Sequence, residues 1–433
     1  MEDELSRSRF LPLLFLLPGI LAAAPAAAPP TVVRCGSLID GVADSPRAGA
    51  TIVIEGSRIA AVGGPAEPAA PGAGVIDLGD RTCLPGLIDA HAHILIKTED
   101  YQVDHLRRSS AYKALRGLAV AQEMLQAGWT TIRIVGDADV HYAHLDLRTA
   151  FEEGLFRGPR ITGAGHYLSI TGGGGDINFF APEHPVAADG LVVDGIDAVR
   201  RAVRREVKYG SDWIKVLASG AMMSAGDNPD SAHFSPEELR ALVDEATRLG
   251  VPVAAHAHSA EGIRQAVRAG VRSIEHGTFL DREGIELMAE RGTWLVPTLF
   301  IMEPGIINNE PTAKDLEVAG RLRTFRAERF ARLRTAFAAG VKIGVGTDYV
   351  GFPVVDGARE FALLAEAGLT PMQAIRAGTK VNAELLGWDD RIGTIEPGKL
   401  ADLIAVDGNP LDDLGALQRV TFVMLDGSVI RRD

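Results

Sequence analysis

The sequence predicts an α/β protein, a (β/α)8 TIM barrel with a small β-sandwich domain built from both chain ends. Apolar strand-like segments alternate with amphipathic helical segments through the middle of the chain, short β-rich runs occupy both ends, and 433 residues exceed a minimal single domain. We therefore divide the chain into a signal peptide (residues 1–30), a first sandwich part (31–84), the barrel (85–390) and a second sandwich part (391–433).

The first thirty residues have the pattern of an export signal. Arg7 and Arg9 precede an apolar run over residues 11–17, and small-residue cleavage motifs follow at 22–24 and 26–28. We expect cleavage there and a periplasmic or secreted protein, with a disordered tail on a cytoplasmic enzyme as the alternative. No later run approaches the ~20 apolar residues of a membrane span, so we expect no stable membrane association after cleavage.

The two sandwich parts are predicted from short β-rich runs separated by Gly, Pro and Asp turn signals. At the start of the chain these runs cover residues 32–33, 51–54 and 59–62; near its end they cover 403–406, 420–425 and 429–430. Such short strands cannot bury a face alone, so we expect the two groups to pair with each other.

Only two cysteines are present, Cys35 and Cys83, which excludes a disulfide scaffold and a cysteine-based zinc site. Both lie in the first sandwich part. We expect two buried free thiols, and a disulfide in an oxidising compartment is the alternative.

Eight apolar segments between the sandwich parts are predicted as barrel strands: 86–93, 130–135, 160–164, 213–217, 251–256, 273–276, 293–298 and 341–347. Helical segments fit between them. One covers residues 235–250, with Ser235 as N-cap, Pro236 in the first turn and Gly250 at the end. In such barrels the active site lies at the carboxyl ends of the strands.

Five of the eight predicted strands end in residues able to bind a metal: His91 with His93, Lys215, His256, His276 and Asp348. Residues two apart on a strand point the same way, so the first two histidines can bind one ion together. A single histidine at a strand end is usually structural. Four of the protein's 11 histidines at the catalytic face of one barrel favour a metal site, and imidazole with carboxylate suits zinc above all.

These segments resemble the amidohydrolase superfamily. The resemblance rests on 84-LPGLIDAHAH-93, 212-DWIK-215, 255-AHAH-258, 273-SIEHG-277, 344-GVGTD-348 and 393-GTIEPGKLADL-403, which occur in the order of the family. Within it the chain looks closest to the imidazolonepropionase-like branch, which includes Xaa-Pro dipeptidases, related carboxypeptidases and ochratoxin-hydrolysing amidases.

The resemblance implies two divalent metal ions, most simply zinc. His91 and His93 would bind the more buried ion and His256 and His276 the other, with Asp348 touching the metal and transferring protons. Lys215 would carry a CO2-derived carbamate that bridges the ions. A lysine left as an ammonium beside a carboxylate would instead leave a one-metal enzyme.

Substrate-binding residues are less clearly marked. Relatives usually carry histidine after the Gly-Gly pair of the loop at 169–176, where this chain has Gly174, and His166 is a substitute candidate. His258, where several relatives carry tyrosine, is a candidate for the substrate carboxylate or a partner of a metal-binding histidine. Met222 and Met223 are candidates for an adaptable apolar wall.

The sequence thus predicts an amide hydrolase that releases a C-terminal amino acid from dipeptides or N-acyl amino acids, ochratoxin included. One alternative is a cyclic amide or lactone hydrolase, and another is a non-catalytic barrel scaffold. The formal net charge of −13 is spread along the chain without a basic stripe, so nucleic acid is not an expected partner. The resemblance also implies a homo-oligomer.

Overall fold

The computed structural model describes residues 29–64, 72–97, 100–303, 306 and 313–433. The signal peptide lies outside these residues except for its last two positions, so it stays a prediction. None of the described helices combines the length and apolar character that crossing a bilayer requires.

The described residues form seventeen strands. They are β1 (Thr31–Leu38), β2 (Arg47–Glu55), β3 (Arg58–Gly63), β4 (Gly74–Asp77), β5 (Thr82–Pro85), β6 (Leu87–Ala92), β7 (Trp129–Val135), β8 (Arg160–Ala164), β9 (Tyr167–Ser169), β10 (Leu191–Val192), β11 (Ile214–Leu217), β12 (Val253–Ala257), β13 (Ser273–His276), β14 (Trp294–Val296), β15 (Leu403–Val406), β16 (Val420–Leu425) and β17 (Ser428–Arg432).

Eleven α-helices occur in the same residues. They are α1 (Tyr101–Arg107), α2 (Ser110–Gln126), α3 (Ala143–Glu152), α4 (Ile196–Lys208), α5 (Pro236–Arg248), α6 (Ala260–Ala269), α7 (Arg282–Arg291), α8 (Ala313–Ala338), α9 (Arg359–Glu366), α10 (Pro371–Ala377) and α11 (Lys380–Leu386). The predicted caps of α5 are present: Ser235 accepts from the Glu238 amide, and the Glu238 side chain accepts from the Ser235 amide.

Both chain ends contribute to one sheet, in the order β17-β16-β15-β5-β1-β2-β3, with β4 beside β1. The joint is the antiparallel pair β5 and β15, in which Pro85 faces Leu403 and Thr82 faces Val406. Buried side chains from the two ends share one core, as Val33 and Ile52 do with Leu403 and Phe422. Neither end could bury these faces alone.

Cys35 and Cys83 form a disulfide, so the expectation of two free thiols is wrong. Strands β1 and β5 run side by side in parallel, with Leu38 opposite Cys83. The two cysteine Cα atoms lie 5.9 Å apart, within the range that a disulfide spans. Strand pairing of this kind depends on the fold and is not visible in the spacing of the residues.

The middle of the chain is a (β/α)8 barrel, which confirms the predicted fold class. Parallel ladders run through β6-β7-β8 and through β9-β11-β12-β13-β14. Residues 341–349 supply the eighth strand. On one side the Leu295 amide donates to the Lys342 carbonyl oxygen and the Gly344 amide donates to the Leu295 carbonyl oxygen; on the other side the Ala90 amide donates to Val345. The predicted strand at 341–347 is thus hydrogen-bonded to its neighbours on both sides, although its backbone is too irregular to form a continuous ladder.

Candidate metal centre

The carboxyl ends of the barrel strands bring the predicted ligand residues together. His91 lies near the end of β6 and His93 just beyond it, while Lys215, His256 and His276 lie within β11, β12 and β13. His276, Thr298 and Asp348 have positive φ angles of 71°, 45° and 51°. Non-glycine residues adopt this conformation at a cost, and three of the five that do so in the described residues lie where these side chains converge.

One group of possible ligands consists of His91, His93 and Asp348, whose ligand atoms lie within 4.8 Å of one another. The Nε2 atoms of both histidines are 3.4 Å from Oδ1 of Asp348. Because Oδ1 and both ring nitrogens face one point, these three residues can bind one cation.

A second group consists of His256, His258 and His276, again within 4.8 Å. The His276 ring lies 4.5 Å from the His256 ring and 5.0 Å from the His91 ring, so the two groups are adjacent. Oδ2 of Asp348 is 3.8 Å from Nδ1 of His276, so this carboxylate of the first group also approaches the second. His258, a substrate-binding candidate from the sequence, therefore lies among the possible ligands.

Four of the five rings, all except His256, are held through Nδ1. Nδ1 of His91 is 2.8 Å from Oε2 of Glu275, and Nδ1 of His93 is 2.6 Å from the Gly136 carbonyl oxygen. The remaining ring nitrogen is left free to bind a metal, and such outer partners fix the tautomer in metal sites. His258 is held in the same manner by Thr278 at 2.7 Å.

Glu275 is itself held by Arg133 inside the barrel, and neither side chain is exposed. Nη2 of Arg133 donates to Oε1 of Glu275 over 2.8 Å, and the same oxygen accepts from Ser273. The guanidinium packs over Trp213, 4.5 Å from the ring centroid. The sequence predicts no role for Glu275 or Arg133, because their meeting depends on closure of the barrel.

Burial sets the protonation of the site. It lowers the pKa of His258 to about 3 and the pKa values of His256 and His276 well below their usual value, so these rings are neutral at pH 7, as ligands must be. Burial also lowers the pKa of Lys215 to about 8, against the charges of Glu275 and Asp348. Part of this amine is therefore unprotonated near neutral pH and able to react with CO2.

The donor set thus fits two divalent cations: His91 and His93 form one group with the Asp348 carboxylate, three neutral imidazoles form the adjacent group, and Lys215 lines the same cavity. These residues open into a cavity of about 810 Å³. Its remaining wall is largely apolar and is formed by residues such as Ile96, Leu217, Ile301, Met302 and Val350. Met222 and Met223 also line it, as does His258.

His166 is not among the residues that line this cavity. Its backbone amide and Nδ1 are 2.8 and 3.0 Å from the carboxylate oxygens of Glu206. Its ring packs edge-on against Tyr142 at 4.7 Å. Glu206, on α4, thus draws His166 to the outer side of the barrel wall, and the structure does not bring it to the metal centre.

Gly174 lies at the cavity wall with no space for a side chain. A Cβ atom there would lie 2.8 Å from Asp227 and 2.9 Å from Ala221. Asp227 is fixed by the Ala221 amide at 2.6 Å and by His233 at 3.0 Å. The resemblance leads one to expect histidine at this position. Glycine is present instead, and the Asp227 carboxylate occupies the space that a side chain would need.

Comparisons with known proteins agree with this architecture. The sequence profile of the amidohydrolase family matches residues 82–430. The chain is 34% identical to the ochratoxinase of Aspergillus niger over 427 residues, which cover 93% of this chain and 86% of that protein. A Xaa-Pro dipeptidase crystal structure with bound methionine aligns with a TM-score of 0.84 at 36% identity, covering 92% of this chain and 99% of the dipeptidase. The ochratoxinase crystal structure gives 0.81 at 32% identity, covering 94% and 97%.

Proposed function

The chain belongs to the amidohydrolase family, and we propose from that premise that it uses two metal ions to release a C-terminal amino acid from dipeptides or N-acyl amino acids. Hydrolysis of amide bonds follows from the family and its relatives. The observation that carries the two-metal proposal is the pair of adjacent three-residue groups, one of which contains Asp348.

We assign His91 and His93 to one ion and His256 and His276 to the other, with carboxylated Lys215 between them. Bound cations would polarise the substrate carbonyl and lower the pKa of a bound water enough for it to react near neutral pH. Zinc suits these ligands best.

Asp348 is the residue that moves the proton. Its two oxygens face different ligand groups, and its pKa lies well below the usual value because the nearby histidines outweigh the effect of burial. It is therefore ionised at pH 7 and can accept a proton from the attacking water. The Asp348 carboxyl group then donates that proton to the leaving amine nitrogen.

The cavity wall favours an apolar or aromatic substrate. Apart from the polar cluster, the cavity is lined by methionine, isoleucine, leucine, valine and the rings of Tyr101 and Tyr167. Flexible methionines fit irregular apolar groups. We therefore place N-acyl amino acids with bulky acyl groups, ochratoxin among them, ahead of charged dipeptides.

The first experiment measures metal per chain on protein purified with zinc and bicarbonate, and then hydrolysis of apolar dipeptides, N-acyl amino acids and ochratoxin. About two metals and release of a free amino acid support the proposal. Turnover of cyclic amides or lactones alone would move the chain to the alternative class, and absence of metal would favour a non-catalytic scaffold. Light scattering on the same sample tests the expected homo-oligomer.

Variants test the assigned roles. Asp348→Asn should lower kcat by about 10²- to 10⁴-fold at unchanged metal content, whereas Asp390→Asn, on an exposed carboxylate, should leave it unchanged. Retention of activity within tenfold by metal-loaded Asp348→Asn would contradict the proton-transfer role. ¹³C-bicarbonate should label a carbamate in the wild type that is absent in Lys215→Met.

We also propose that the protein functions outside the cytoplasm. The Cys35–Cys83 disulfide supports this, because such bonds persist in oxidising compartments. Fractionation of the producing cells, with thiol labelling of each fraction, tests it. Cytoplasmic protein with both thiols reduced would contradict the proposal.

A further inference from the structure

A second, smaller cavity lies behind His276, between the segments that follow β13 and β14 and helix α8. It measures about 320 Å³ against about 810 Å³ for the metal-centre cavity, and His276 lines both. Four leucines form much of its wall: Leu280, Leu295, Leu299 and Leu333. The polar side chains that line it are few, and the most unusual is Arg329.

Arg329 is buried without hydrogen-bond partners. The residue is 6% exposed, and in the described part of the chain none of its three guanidinium nitrogens makes a hydrogen bond. Its nearest carboxylate oxygen, Oε1 of Glu303, is 3.7 Å from Nη2. That carboxylate is already bound by Nε of Arg326 at 2.9 and 3.0 Å. A buried cation in this state is costly, so a missing partner is expected.

The other charged groups near the cavity do not supply that partner. Both oxygens of Glu360 accept backbone amides, from Leu299 and Phe300 at 2.8 and 2.7 Å. Burial raises the pKa of Glu360 to about 8, so it is largely uncharged at pH 7. Arg332 adds a second positive charge, although its own donors are occupied by the Thr278 carbonyl oxygen at 3.1 Å and by Glu328.

We propose that this cavity is an anion site that binds a carboxylate, with Arg329 as its principal donor. A guanidinium presents two parallel N–H groups that match the two oxygens of a carboxylate, and the apolar wall strengthens the pair by excluding water. The size of the cavity suits a small group.

The carboxylate has two possible sources. One is the free carboxylate of the substrate, and this version rests on the proposed function: a C-terminal amino acid carries a carboxylate, and His276 lines both this cavity and the metal-centre cavity. The other is a separate small carboxylate from solution. Either source would give the Arg329 guanidinium a hydrogen-bond acceptor, and two measurements distinguish them.

The first arm measures binding without turnover. Acetate is titrated into metal-loaded wild type, Arg329→Met and Arg282→Met, and the thermal unfolding midpoint is followed at constant ionic strength. Arg282 is a matched control, because its side chain is 91% exposed on α7. A saturable rise in the wild type and in Arg282→Met, absent in Arg329→Met, supports the anion site.

The second arm compares an N-acyl amino acid with its C-terminal primary amide. If the substrate supplies the carboxylate, the wild type should prefer the acid by at least tenfold in kcat/KM, and Arg329→Met should lose that preference while Arg282→Met keeps it. Arg329→Lys should retain part of it. If a separate anion is bound, acetate should stabilise the wild type, yet the preference should be equal in all variants.

Absence of both effects would overturn the proposal. Failure of the proposed function is distinguishable, because the wild type would then hydrolyse neither the acid nor the amide, whereas acetate could still stabilise the protein through Arg329.

Discussion

The buried ion pair of Arg133 and Glu275 should connect the stability of the barrel with metal binding. Glu275→Leu removes the carboxylate that receives Nη2 of Arg133 at 2.8 Å and faces Nδ1 of His91 at 2.8 Å. The arginine would then be a buried, uncompensated cation, since both side chains are fully buried. Breaking one partner of such a pair typically costs about 3–5 kcal/mol.

The reverse variant and the double variant separate charge from packing. Arg133→Met should cost a similar amount, because it leaves Glu275 charged in the same place. The double variant removes both charges and is expected to recover most of the loss, since an apolar pair of similar volume is often nearly neutral. Unfolding in urea without metal gives these free energies, and the cycle yields a coupling of several kcal/mol.

Metal affinity provides the second measurement. Loss of the partner of His91 should weaken metal binding by about 10- to 100-fold, which competition with a chelator detects. Glu275→Gln retains the size of the side chain and should fall between wild type and Glu275→Leu. Single variants that each cost under about 1 kcal/mol, with unchanged metal affinity, would refute the reasoning.

Three further outcomes are expected. Because the pKa of Glu360 is raised to about 8 from an ordinary 4.5, the folded state binds its proton more tightly. Stability from this group is therefore present below about pH 4.5 and lost as the pH rises through 8, by an amount on the order of 5 kcal/mol. Urea unfolding at pH 5, 6.5 and 8 should show a flatter profile for Glu360→Gln. Reduction of the Cys35–Cys83 bond, which spans a separation of 48 residues, should lower the free energy of unfolding by roughly 4 kcal/mol, and Cys35→Ala with Cys83→Ala should remove the effect of reductant. Gly174→His should lower kcat/KM at least tenfold through displacement of Asp227, and an unchanged value would mean that the loop can move aside.

The parts of the site that depend on the spacing of residues within one strand, or on the alternation of strands and helices, could be predicted from the sequence. His91 and His93 are two apart at a strand end, and the strand–helix alternation fixes which face of the barrel they share. The eighth strand was predicted from its apolar run, although its irregular pairing was not.

The supporting residues could not be predicted, because their partners come from distant elements. Glu275 lies beside a predicted ligand, yet only barrel closure brings Arg133 to it from β7. Glu206 draws His166 away from the cavity by an interaction between α4 and the end of β8. Arg329 lies on α8, and its burial depends on how that helix packs over the barrel.

The sheet shared by the chain ends has a consequence for synthesis on the ribosome. Strand β5 emerges early, but its antiparallel partner β15 is made only after the whole barrel has been translated. Until then β5 presents an open edge able to pair with another chain. Fragments that stop before residue 403 should therefore aggregate or be degraded, even though they contain every proposed metal ligand. Only a chain that has been translated through β15 can cover the edge of β5.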